Sequence, residues 1–157
     1  MARGGKALLA LLLAALALPA CDGDDDGVSR EAYADRVDKV CDDAERELNE
    51  LDLRSARTSA EITALIDDVI VKSQAAIDRL RAIERPGGDD GETAERFVDS
   101  LQREFEEQVL PALEDLKRAI RTGDRAAAAD AAERLSGLED AESDRFARRL
   151  GAASCAA

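Results

Sequence analysis

At 157 residues, with 45% apolar and 36% charged side chains, the chain is long enough for one globular domain and short for two. Its 35 acidic against 22 basic residues set up a negative field that repels phosphate backbones, so no nucleic-acid partner is expected. Without His or Trp, and with 3% aromatic residues, the chain can form neither a Ser-His-Asp or Cys-His catalytic set nor a His-ligated zinc, haem or di-iron site. Its core must come from Leu, Ile, Val and Ala.

In chain order, "MARGGK" carries Arg3 and Lys6 and is followed by "ALLALLLAALAL". That apolar run of about a dozen residues has the length of a signal h-region and is too short to cross a bilayer as a helix. Residues 1–20 therefore read as an export signal peptide. The run ends in Leu18-Pro19-Ala20-Cys21, which resembles the lipobox of bacterial lipoproteins: a Leu, a variable position, a small residue and the cysteine. The resemblance implies cleavage before Cys21, a diacylglyceryl group on its thiol, and anchoring to the extracytoplasmic face of the cell membrane. Each buried methylene of an acyl chain contributes about 0.8 kcal/mol, and two chains anchor stably without a second signal. The alternative is a plain secretory signal that leaves Cys21 an ordinary thiol.

Residues 21–28 then form an acidic tether. Asp22-Gly23-Asp24-Asp25-Asp26-Gly27 spells the first half of an EF-hand loop, but position twelve, where a bidentate Glu is needed, is Tyr33. The cysteine adjoining the first ligand also leaves no room for an entering helix. A hydrated spacer is expected, with no metal.

Four amphipathic segments follow. Tyr33, Val37, Val40, Cys41, Ala44, Leu48 and Leu51 recur at three- and four-residue steps, with Ser29 as N-cap and Glu31 in the first turn. The second segment opens on the capping box Thr58-Ser59-Ala60-Glu61 and continues through Ile62, Leu65, Ile66, Val69, Ser73, Ala76, Ile77, Leu80 and Ile83. "ERPGGDDG" stops it and predicts a loop through Gly91. A third stripe runs Ala94, Phe97, Val98, Leu101, Phe105, Val109, Ala112, Leu116 and Ile120, and Pro111 should kink it. Such a kink either follows the neighbouring helices or opens a cavity in the bundle. "TGD" offers Gly123 as C′ and Asp124 as the next N-cap. The fourth stripe then carries Ala128, Ala131, Leu135, Leu138, Ala141, Phe146 and Leu150, ending at Gly151.

The expected fold over residues 29–155 is all-α: an up-down-up-down four-helix bundle with its third helix kinked at Pro111. The alternative is a three-helix bundle with the first segment packed outside as an extra N-terminal helix.

Assigning Cys21 to lipid leaves Cys41 and Cys155 as a pair in an exported protein, so parity favours a disulfide, with two free thiols as the alternative. Closing a loop of 114 residues is worth roughly 4 to 5 kcal/mol in the chain-entropy model. The lipobox, the first-helix stretch "YADRVDKVCDDAERELNEL" and the terminal "LGAASC" together resemble small helical lipoproteins of high-GC Gram-positive bacteria. Those chains have a Tyr-and-Cys first helix and a last helix ending in Gly followed shortly by Cys. The likeness covers Tyr33 to Leu51 and Leu150 to Cys155. It implies the disulfide and brings no catalytic residue.

Two R-E-x-x-E stretches, Arg46 to Glu50 and Arg103 to Glu107, match a motif found in some iron-handling proteins. Local ion pairs on Glu- and Arg-rich helices account for the same spacing. No cofactor is implied. The expected function is that of an anchored, noncatalytic binding or interaction domain with an envelope protein or a small ligand as partner. An enzyme working by carboxylates alone, or a weak metal binder, is the alternative.

Overall fold

A computed structural model describes residues 27–52, 55–137 and 142–156. The export signal, Cys21 and Asp22 to Asp26 lie outside the described residues, as do Leu138 and Ala141 of the fourth stripe. The described residues form six α-helices: α1 Arg30–Asn49, α2 Ser59–Arg81, α3 Gly88–Glu104, α4 Leu110–Thr122, α5 Arg125–Ser136 and α6 Glu142–Leu150. They contain no strand, only a single parallel bridge between Val28 and Pro86. The expected all-α class is observed.

The helix starts follow the side-chain chemistry of their caps. Ser29 accepts from the Ala32 amide at 3.2 Å. Thr58 and Glu61 form the reciprocal capping box, and Asp124 accepts from the Ala127 amide at 3.0 Å. Each satisfies an amide that the first helical turn leaves without a partner. Gly123 and Gly151 end α4 and α6 with φ of 71° and 86°, a left-handed conformation in which Cβ-bearing residues are strained.

Three elements depart from the expectation. The stretch expected to loop through Gly91 is helical from Gly88, because Asp89 and Asp90 sit favourably in the positive first turn of α3. Gly91 allows this start: a Cβ there would run into the Pro86 carbonyl oxygen.

Pro111 produces a π turn, Phe105–Val109, one step upstream, rather than a break at the proline itself. The Leu110 amide reaches back five residues to the Phe105 carbonyl, and Pro111 enters the first turn of α4, where a missing amide hydrogen is tolerated. Widening one turn relieves the clash an α-helical Pro111 would make with the Glu107 carbonyl.

The fourth segment consists of two helices, α5 and α6. They pack on different halves of the third segment, α5 on α4 and α6 on α3.

The main core lies where α1, the end of α2, α3 and α6 meet. Tyr33 and Val37, then Leu80, then Ala94, Phe97 and Val98, then Ala147 and Leu150 form one buried cluster. A fully buried side chain the size of Val, Leu or Phe contributes about 1.5–3 kcal/mol. Tyr33 and Val37 of α1 are wholly buried, so the first segment packs into this cluster through its N-terminal half. Val28, expected in the tether, also packs against this cluster.

Within α4, Lys117 is buried, where the apolar stripe had placed Leu116. Its ammonium bonds Asp67 of α2 and, at 3.1 Å, Glu114. Two carboxylates surround a cation taken out of water, which offsets its desolvation.

Candidate ligand-binding groove

Cys41 and Cys155 are disulfide-bonded with their Cα atoms 5.5 Å apart. The tail reaches Cys41 because Gly151 turns it back, Ala152 is buried, and the Ser154 amide donates to Asp38 at 2.8 Å. The short 3-10 turn Ala153–Cys155 is thereby held against α1.

Beside this bond, α1, α2, α3 and the π turn enclose a groove of about 690 Å³. Its floor is apolar. Ala44 and Leu48 come from α1, Ala76, Ile77 and Leu80 from α2, and Leu101, Phe105 and Val109 from α3 and the π turn. These positions belong to the stripes legible in the sequence, but here they leave space instead of closing on one another. The π turn matters geometrically: it supplies both Phe105 and Val109 to the lining.

The rim is charged. Arg103 pairs with Glu142 at 3.2 Å. Glu104 accepts from both the amide and the hydroxyl of Ser143, at 3.0 and 2.5 Å. Because Ser143 is the second residue of α6 and is buried, Glu104 caps that helix from another part of the chain. Glu107 and Gln108 are exposed at the same edge. Glu107 has no ion-pair partner among the described residues.

Both R-E-x-x-E stretches are thus assigned concrete contacts. In the first, Arg46 pairs with Asp43 at 2.5 Å and Glu47 with Arg79 of α2 at 2.8 Å. The Arg79 guanidinium holds the Glu47 carboxyl below the ordinary carboxylate range. In the second, Arg103 and Glu104 bind the start of α6. Among the described residues no three His, Cys, Asp or Glu side chains are grouped to hold a metal ion. Nor, among those residues, is any helix long and apolar enough to cross a membrane.

The tertiary cap formed by Glu104 is invisible to sequence reading, since nothing local marks a glutamate that caps a helix 39 positions away. No protein-family model matches this chain, and no curated protein or solved structure is significantly similar to it.

Proposed function

We propose that this protein is a membrane-anchored lipoprotein on the extracytoplasmic face, whose helical domain binds a small, largely apolar ligand without transforming it. The observation that carries the binding role is the groove of about 690 Å³, within the range of about 300–1,000 Å³ common for small-molecule sites. Its apolar floor and few polar rim groups have the composition of a binding site rather than of an acid-base centre. Two of its rim carboxylates, Glu104 and Glu142, are already held by Ser143 and Arg103.

The anchoring role rests on the likeness of Leu18 to Cys21 to a lipobox, and the likeness to small helical lipoproteins agrees with it. The packing of α5 on α4 and of α6 on α3 supports reading the domain as an up-down-up-down four-helix bundle whose fourth member is divided in two. The groove then lies on the flank that the α1–α2 hairpin presents to the π turn.

Two measurements test this. The mature protein should carry a diacylglyceryl mass on Cys21 and sediment with membranes, and Cys21→Ala should lose both properties. Titrating the acylated protein in lipid nanodiscs with hexyl glucoside should shift the amide resonances of Ala44, Ala76 and Val109. Ala44→Phe, which fills the floor, should abolish those shifts. Absence of shifts in the wild type would overturn the binding role.

A further inference from the structure

The groove's charge distribution narrows the class of ligand, given that the groove is a binding site as proposed above. Three carboxylates, Glu104, Glu107 and Glu142, stand at its edge against one guanidinium, Arg103. Arg103 is neutralised by Glu142 at 3.2 Å, and Glu104 spends its acceptors on Ser143. What remains for a ligand is Glu107, an exposed carboxylate with no ion-pair partner among the described residues. It leaves the π turn at the border between the apolar floor and solvent. The chain's net charge of −13 adds a long-range field of the same sign, which concentrates cations and repels anions.

From this complementarity we infer that the groove takes an amphipathic organic cation: an alkyl or alicyclic body on the Ala44, Ile77 and Leu101 floor and an ammonium-type head at Glu107. An inorganic cation would leave that floor without function, and no three metal-capable side chains converge among the described residues. An anionic amphiphile would set its head against Glu107 with only the already-paired Arg103 to receive it. The one aromatic side chain of the floor, Phe105, is buried, so Glu107 at the exposed edge is the group that receives the head by charge.

The test uses three probes of one chain length: hexyltrimethylammonium, hexyl glucoside and hexyl sulfate. Each is titrated into the acylated protein in nanodiscs and read at the Ala44, Ala76 and Val109 amides. The expected order is cation, then neutral, then anion. Comparing each probe between wild type and Glu107→Gln cancels its partition into the lipid. The variant should weaken the cation about threefold, the worth of one exposed charge pair, and leave the glucoside unchanged. Arg103→Gln should strengthen the cation by a similar factor, and added salt should compress the whole order. Circular dichroism of both variants should match the wild type, since both side chains are exposed.

Shifts with the glucoside but no cation preference, or no response of the cation to Glu107→Gln, would overturn the inference and leave the groove intact as a binding site. Tighter binding of the sulfate would overturn it as well. No shifts with any probe would overturn the proposed binding role itself.

Discussion

The Glu104 carboxylate caps α6 by accepting from the Ser143 amide at 3.0 Å and its hydroxyl at 2.5 Å. This joins the end of α3 to the start of a nine-residue helix too short to be stable alone. Ser143 is buried, so removing its acceptor strands donors out of reach of water. Glu104→Ala should lower stability by about 1–2 kcal/mol, read from the urea midpoint at unchanged slope. A value near zero would mean that α6 is held by its apolar face alone.

The Cys41–Cys155 bond spans 114 positions and fixes the C-terminal tail to α1 beside the groove. Losing a cross-link over a loop of that length typically lowers stability by about 2–5 kcal/mol. Cys155→Ala should therefore show a markedly reduced melting temperature, and reductant should lower the wild type to the same value while leaving the variant unmoved. Free-thiol titration of the folded protein should find neither of these two cysteines reactive.

Tyr33 is wholly buried, and its hydroxyl has no hydrogen-bond partner among the described residues. A hydroxyl taken from water without compensation is destabilising, whereas its ring fills the core. Tyr33→Phe keeps the ring and removes the orphan, so stability should rise by about 1 kcal/mol. A loss of that size in denaturant unfolding would show that the hydroxyl is bonded.

Gly91 has a different constraint. A Cβ there would collide with the Pro86 carbonyl oxygen, a backbone atom that cannot move aside. Gly91→Ala should destabilise by about 1–3 kcal/mol in urea unfolding, even though alanine favours helices by about 1 kcal/mol over glycine. As a control, Glu95→Ala on the exposed face of the same helix should be close to neutral.

Stability should fall at both pH extremes. The Arg79 hydrogen bond to Glu47 and the Arg134 hydrogen bond to Asp115 depress these carboxyls below their ordinary 4.5 and 3.8. Their contribution is present above those values and is lost as pH falls through the depressed ones. On the alkaline side, Asp67 and Glu114 raise Lys117 above its ordinary 10.5, and burial raises Tyr33 above 10.0. Both contributions are complete below these values and are lost as pH climbs past them. Urea midpoints against pH should trace a plateau between the two limbs, and Asp67→Asn should flatten part of the alkaline one.

Much of the framework was legible in the chain itself, because it depends on short-range rules. The Ser29, Thr58 and Asp124 caps, the Gly123 and Gly151 stops and the apolar stripe of α2 are each set within about one helical turn. The cysteine pair followed from parity once Cys21 was set aside for lipid. The tertiary structure decided where the third segment widens to accommodate Pro111, how α3 starts against the Pro86 carbonyl, and which charges are buried. It also decided that the stripes stop short of closing and leave a groove. These are distance relations between residues such as Glu104 and Ser143, or Lys117 and Asp67. Periodicity tells which face of a helix is apolar, but only packing determines what that face meets and whether the space between faces is filled.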